Sequence, residues 1–384
     1  MQTTSITIGA VFAFAFLLAV PLGWLFRIQL RPGRYTHLDG LRAIAALMVV
    51  CSHYLAHAAL ITRTAADSRL IEAFGAVGVQ IFFCITGFLF TRKALSGPVD
   101  MGALIASRIR RIVPLYLAAM SAAIVVAVYI ITAAHKATPV HPAEVLRAYL
   151  YGFVVSDSVP SVAGMSIAGQ AGQMWSLAWE WRFYLFVPFI GALLTRRAWI
   201  AGALVIAVAG MIAGQYEGSL PPWSFFIPGM ACAMVEGRIK AGVRVQLALT
   251  IAGIAAYLAA LVVYGPVNGV IQTALCAVAF PCALFGHRAL LSVRPLRLLG
   301  EVSYSIYMLH LVVVSVFWAY VQDDTRWMLY QTADAKLPLA VAALGALFVL
   351  SFATYALIER PFMRHSPSGI KASSPIAEVS ALSQ

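Results

Sequence analysis

Arg42 and His53 lie eleven positions apart in a helix-length apolar run that opens with Leu38-Asp39-Gly40-Leu41. Eleven steps of ~100° come to roughly three turns of α-helix, so the two side chains share one face, about 16 Å apart along the axis. In a membrane-spanning helix this places a permanent cation near one surface and a titratable imidazole deeper in. Ionisable groups at such depth are costly and mark functional sites. An imidazole, with a reference pKa near ~6.5, suits general acid–base work or transient covalent carriage of a group.

Other stretches add polar groups to apolar surroundings. Arg108 and Arg111, in Arg108-Ile109-Arg110-Arg111, are three apart on one helical face at a membrane entrance, a fork suited to phosphate oxygens. Glu180 stands in Trp175-Ser176-Leu177-Ala178-Trp179-Glu180-Trp181-Arg182-Phe183-Tyr184, where it could orient a histidine or accept a hydrogen bond from a hydroxylated substrate. Tyr307 and His310 share a face in Ser303-Tyr304-Ser305-Ile306-Tyr307-Met308-Leu309-His310, and Thr86-Gly87 interrupts another apolar run. Each has an ordinary structural explanation too: a snorkelling arginine, a satisfied buried histidine, anchoring by basic residues, close helix packing at Gly87. The alignment of Arg42 with His53 favours chemistry.

The elements that must position these groups are membrane helices. Of the 384 residues 61% are hydrophobic and 11% charged, against ~25% charged in a soluble domain. The mean hydropathy is +0.86. The net charge of +12 would suggest a nucleic-acid partner in a soluble chain. Here the basic residues fall between apolar runs, so membrane topology accounts for them and no nucleic acid is implied. The five cysteines, all in apolar segments, form neither a disulfide framework nor a metal-ligand spacing, and no metal is expected.

Eleven apolar runs are long enough, or nearly so, to span: 6–26, 41–60, 73–90, 112–132, 175–194, 198–214, 222–235, 245–264, 267–285, 298–320 and 337–358. The run 222–235 is the shortest. The first lacks a basic n-region and carries Arg27, Arg31 and Arg34 after it, so it reads as an anchor and not as a signal peptide. With the N-terminus outside, most Lys and Arg fall in cytoplasmic segments. The opposite side keeps only Arg63, Arg69, Lys136, Arg147, Arg326 and Lys336. That asymmetry predicts an all-α, polytopic bundle with the C-terminus cytoplasmic. Three regions follow: an N-terminal transmembrane anchor (1–34), a membrane domain (35–364) and a disordered cytoplasmic tail (365–384). The longest external loop, 133–174, is either a lid or a solvated connector. No internal repeat, Walker motif or GxGxxG occurs.

Taken together over residues 38–362, these stretches resemble the membrane acyltransferase-3 family, which O-acylates sugars of bacterial surface and secreted glycans. The marks are Leu38-Asp39-Gly40-Leu41-Arg42 with His53, Phe82-Phe83 before Thr86-Gly87-Phe88-Leu89, and the Arg108/Arg111 pair. Trp175-Ser176-Leu177 with Glu180, Ser303-Tyr304-Ser305 with Tyr307 and His310, and Glu359-Arg360-Pro361-Phe362 complete them. Thr86 stands where the family more often has serine, and a span precedes the motif helix, so the bundle reads as ten helices plus one. The extracellular hydrolase-like domain of some members is not expected here, which confines the chemistry to the membrane part.

The resemblance implies a bacterial inner-membrane enzyme that passes an acetyl or other acyl group from cytoplasmic acyl-CoA to an extracytoplasmic carbohydrate hydroxyl. It implies catalytic roles for His53, Arg42 and Glu180, donor binding by Arg108, Arg111, Thr86 and Gly87, and substrate binding by Tyr307 and His310. His53 would act as base or acyl carrier. O-antigen, exopolysaccharide, peptidoglycan, a small glycoside and a macrolide all fit as acceptor. A proton-coupled transporter or flippase would also use intramembrane His, Arg and Glu, but the matched broken helices of such folds are missing.

Overall fold

Backbone polar groups in a bilayer must be satisfied within their own segment, so apolar runs of this length fold as helices. The computed structural model bears this out across residues 2–30, 33, 35–62, 68–136, 138–154, 158–194, 221–239, 241–263, 267–322 and 333–364. Its helices are α1 (Gln2–Leu25), α2 (Thr36–Thr62), α3 (Ser68–Leu95), α4 (Met101–Ala133), α5 (Pro142–Leu150) and α6 (Trp175–Leu194). They continue with α7 (Ile227–Val235), α8 (Val243–Val262), α9 (Val270–Phe285), α10 (Arg294–Glu301), α11 (Ser303–Gln322) and α12 (Ala333–Thr354). A π-helical turn, Tyr355–Glu359, and a last helical turn, Arg360–Arg364, extend α12.

Among the described residues, six helices are long and apolar enough to cross a membrane, and α10 with α11 forms a seventh candidate, bent by 68°. Leu17, Val125, Ile251, Leu258, Val262 and Leu357 lie exposed along these helices, as lipid-facing side chains do. The chain is therefore a multi-pass, all-α membrane protein. The count differs from the eleven expected runs for identifiable reasons. Residues 222–235 form a 3-10 turn and the nine-residue α7, and α9 has 16 residues, both short for a bilayer. The expected span 175–194 forms the 20-residue α6 but is not among the six helices, and the expected span 198–214 and the tail 365–384 lie outside the described residues.

At the centre α2 packs along α3, and α11 packs against α2, α4 and α12. Small residues permit the closest approaches. A Cβ added to Gly87 would stand 2.3 Å from the carbonyl oxygen of Phe226, so α3 and the segment before α7 meet backbone to backbone there. Gly300 likewise lies against the Asp39 carbonyl, where a Cβ would come to 2.0 Å, docking the start of α2 on α10.

One end of the bundle gathers the segments expected in the cytoplasm. Tyr35 donates to Glu236 at 2.7 Å, Arg92 pairs with the same carboxylate at 3.1 Å, and Arg360 donates to the Arg27 carbonyl at 3.0 Å. At the other end the described residues of the stretch 133–174 are packed and not merely a connector. It contains α5 and a hairpin pairing Ser161–Val162 with Met165–Ser166. The two-residue turn has positive φ at Ala163 and Gly164, as such hairpins require. Val162, Ile167, Ala171 and Met174 are buried, and Ser315 of α11 donates to the Gly169 carbonyl at 2.6 Å.

Candidate active site

A cavity of about 350 Å³ opens between α2, α3, α4, α6 and α11. Six residues singled out by sequence line it: Arg42, Thr86, Arg108, Arg111, Glu180 and Tyr307. Lys93, Ser176, Tyr184 and Tyr304 join them, so the cations Arg42, Lys93, Arg108 and Arg111 face the carboxylate Glu180. The aromatic rings of Phe82, Phe83 and Phe90 supply the apolar lining.

Helical spacing explains much of this convergence. Arg108 and Arg111 are one turn apart on α4, so both reach the same space. The Arg108 guanidinium lies over the Phe90 ring at 5.2 Å and near the Tyr184 ring at 5.9 Å, a slot that holds a flat cation without neutralising it. Glu180 and Tyr184 are four apart on α6, and the phenol donates to the carboxylate at 2.6 Å. Arg182 points elsewhere: it is exposed, with its guanidinium 5.0 Å from the Trp179 ring. Tyr304 ties α11 to α4 beside Arg111, donating to the Ile112 carbonyl at 2.8 Å.

His53 and His310 lie outside the lining of this cavity and pair with each other, ring centroids 5.0 Å apart. His310 Nδ1 is 2.7 Å from the Tyr307 carbonyl oxygen. A carbonyl only accepts, so Nδ1 carries the proton and Nε2 is the basic nitrogen. Tyr307 links the two places. Its ring lines the cavity and stands 5.8 Å from the His310 ring and 5.8 Å from the Phe82 ring. Its hydroxyl bonds Ser176 Oγ at 2.9 Å and donates to the Gln173 carbonyl at 2.9 Å.

A family model described as an acyltransferase domain matches residues 35–358. The chain belongs to the acyltransferase-3 family. The match begins after α1, so that helix precedes the family's domain in this acyltransferase. The exopolysaccharide production protein ExoZ of Rhizobium meliloti (strain 1021) is similar to it, 27% identical over 333 residues that cover 76% of this chain and 90% of ExoZ. No solved structure matches.

Within this acyltransferase, Gly87 has no side chain to offer a ligand, and its place against Phe226 makes it a packing residue beside Thr86. Ser176 and Tyr184 stand in the sequence motifs and Lys93 among the cytoplasmic cations, but none of the three is assigned a site role there. The i, i+4 spacing of Glu180 and Tyr184 was a usable signal. Lys93, one turn beyond the cavity-lining Leu89, was another. Ser176 gave none, because its partner Tyr307 comes from a distant helix.

Proposed function

We propose that this acyltransferase moves an acetyl group from acetyl-CoA to a hydroxyl of an exopolysaccharide-type glycan. The observation that carries the reading is the convergence of Arg42, Lys93, Arg108 and Arg111 on one cavity, with a histidine pair beyond its Tyr307 wall. Four cations against one carboxylate suit the phosphates of CoA, and Arg108 and Arg111 offer the planar fork that phosphate oxygens favour. The aromatic lining suits the pantetheine arm and the acyl group. Basic residues mark the cytoplasmic side, so the cavity opens towards the cytoplasm of a bacterial inner membrane, with the N-terminus outside and the C-terminus inside. The ExoZ likeness supports an exopolysaccharide-type acceptor on the far side.

In the proposed reaction His53, oriented by His310, takes the proton of the acceptor hydroxyl. The oxygen forms a bond to the thioester carbonyl carbon, the C–S bond breaks, and the proton ends on the CoA thiol. If the acyl group first rests on His53, the same bonds exchange in two steps. Glu180, held by Tyr184, balances the cationic cavity, and Tyr307 with Ser176 borders the path between donor and histidines.

The test is transfer of label from acetyl-CoA to exopolysaccharide by the full-length protein in proteoliposomes, with His53→Ala as the comparison. Transfer by wild type and none by His53→Ala is expected. Wild-type transfer by the variant would remove His53 from the chemistry. Movement of an unmodified solute without acyl-CoA would replace the enzyme reading with transport.

A further inference from the structure

Gln173 reaches the histidine pair from outside the two helices that carry it. It lies in the 3-10 turn Gly172–Met174, which leads directly into α6, and only 4% of it is exposed. Its side-chain Nε2 donates to the Met308 carbonyl at 3.0 Å and to the Tyr307 carbonyl at 3.4 Å. The Tyr307 carbonyl oxygen is also the one 2.7 Å from His310 Nδ1. The backbone carbonyl of Gln173 accepts in turn from the Tyr307 hydroxyl at 2.9 Å and from Ser176 Oγ at 3.2 Å. Gln173 therefore holds Tyr307 at both ends, phenol and backbone, beside the bond that fixes His310.

Packing alone would not select a glutamine here. With Nε2 facing two carbonyls, Oε1 points away from them, and it is buried with no hydrogen-bond partner among the described residues. A buried acceptor in that state costs stability. A methionine of similar length would fill the space without that cost. Nor is the amide needed to dock the segment. Ser315 of α11 donates to the Gly169 carbonyl at 2.6 Å, and Tyr151 donates to the Gly172 carbonyl at 3.3 Å. These bonds, with those to the Gln173 carbonyl, tie the turn to the bundle through its backbone. What the side-chain amide adds is confined to the carbonyls of Tyr307 and Met308. A helix carbonyl that accepts from outside its own ladder tilts away from the axis, which brings it towards donors such as His310 Nδ1.

We propose that Gln173 is a positioning residue for the histidine pair: its amide holds the Tyr307 carbonyl where that oxygen keeps the His310 proton on Nδ1. The inference rests on the histidine reading given above and extends it to a residue outside both the pair and the cavity lining. Without the amide the Tyr307 carbonyl returns to the helix ladder, and the His310 ring loses its fixed acceptor. Both tautomers then become populated, and His53 meets a neighbour that orients it only part of the time.

Gln173→Met, which keeps the length and the backbone carbonyl but has no side-chain N–H, tests this in the full-length protein. In proteoliposomes its kcat should fall about tenfold, with KM for acetyl-CoA within about twofold of wild type. Its Tm in detergent should equal or exceed that of wild type, because the orphaned Oε1 is gone. In the His310→Ala background the same substitution should change kcat by less than about twofold, since its effect passes through that ring. NMR shifts of the His310 ring nitrogens, assigned by comparison with His310→Ala, should show Nδ1–H in wild type and mixed tautomers in Gln173→Met. Gln173→Leu, also without an N–H, should behave like Gln173→Met. A Gln173→Met kcat within about twofold of wild type would overturn the proposal, as would an equal loss with and without His310. Unchanged ring-nitrogen shifts would do the same. So would loss of folding in both variants, by thermal melt and gel filtration, because Gln173 would then be a structural residue only. Wild-type kcat in His310→Ala would instead sink the histidine reading, while the shifts still decide whether Gln173 fixes the ring.

Discussion

His53 of α2 and His310 of α11 face each other with ring centroids 5.0 Å apart, and the Tyr307 carbonyl fixes the proton on His310 Nδ1. The proposed base, His53, therefore has a second imidazole beside it that can orient it. Removing His53 as Ala should lower kcat by about 10²–10⁴-fold, the usual contribution of a general base. His310→Ala should cost less, about tenfold to a hundredfold, with KM for acetyl-CoA unchanged. Steady-state kinetics in proteoliposomes distinguishes the two.

The same pair sets a pH dependence. Only a neutral imidazole accepts a proton, so the rate of a reaction with a histidine base should fall as pH is lowered. A pH–kcat profile that is flat between pH 5 and about 8 would speak against a histidine base.

Arg108→Ala and Arg111→Ala should each raise KM for acetyl-CoA by roughly ten- to a hundredfold. A hydrogen bond to a charged group is worth ~1.5–3 kcal/mol, and ~1.4 kcal/mol is tenfold in affinity. Arg182→Ala, whose guanidinium lies over Trp179 on the surface, should leave that KM within twofold. Equal effects at all three positions would indicate general anchoring by basic residues in place of a donor site.

Tyr184→Phe removes the 2.6 Å hydrogen bond to Glu180 while keeping the ring under Arg108. The freed carboxylate should attract Arg108 from its aromatic slot and raise KM for the donor about fivefold, with Glu180→Gln in the same background restoring it. A double-mutant cycle on KM measures this coupling.

Gly87→Ala should weaken the fold before it weakens chemistry. Its Cβ would stand 2.3 Å from the Phe226 carbonyl, which forces α3 and the α7 segment apart. Overpacking of this kind costs ~1–3 kcal/mol, to be read as a lowered Tm in detergent.

A helical membrane protein was legible in the primary sequence. So were the faces that carry the ionisable groups, because composition, run length and helical periodicity are local properties. Arg42, Arg108, Arg111, Thr86, Glu180 and Tyr307 were legible on that basis, and the cavity contains them all. The motifs from Leu38 to Phe362 marked the family that the matched domain shows.

Which faces meet depends on how the helices pack. The distance along α2 separates Arg42 from His53, but the packing of α11 determines that His53 pairs with His310 while Arg42 joins the cavity. Hydroxyl partners such as Ser176 and Tyr307 come from separate helices, so no spacing rule can join them. The π turn that ends at Glu359 is likewise invisible to a 3.6-residue period, since it breaks that period at one point. Local sequence sets what each helix can offer, and the contacts between helices choose which offers are used.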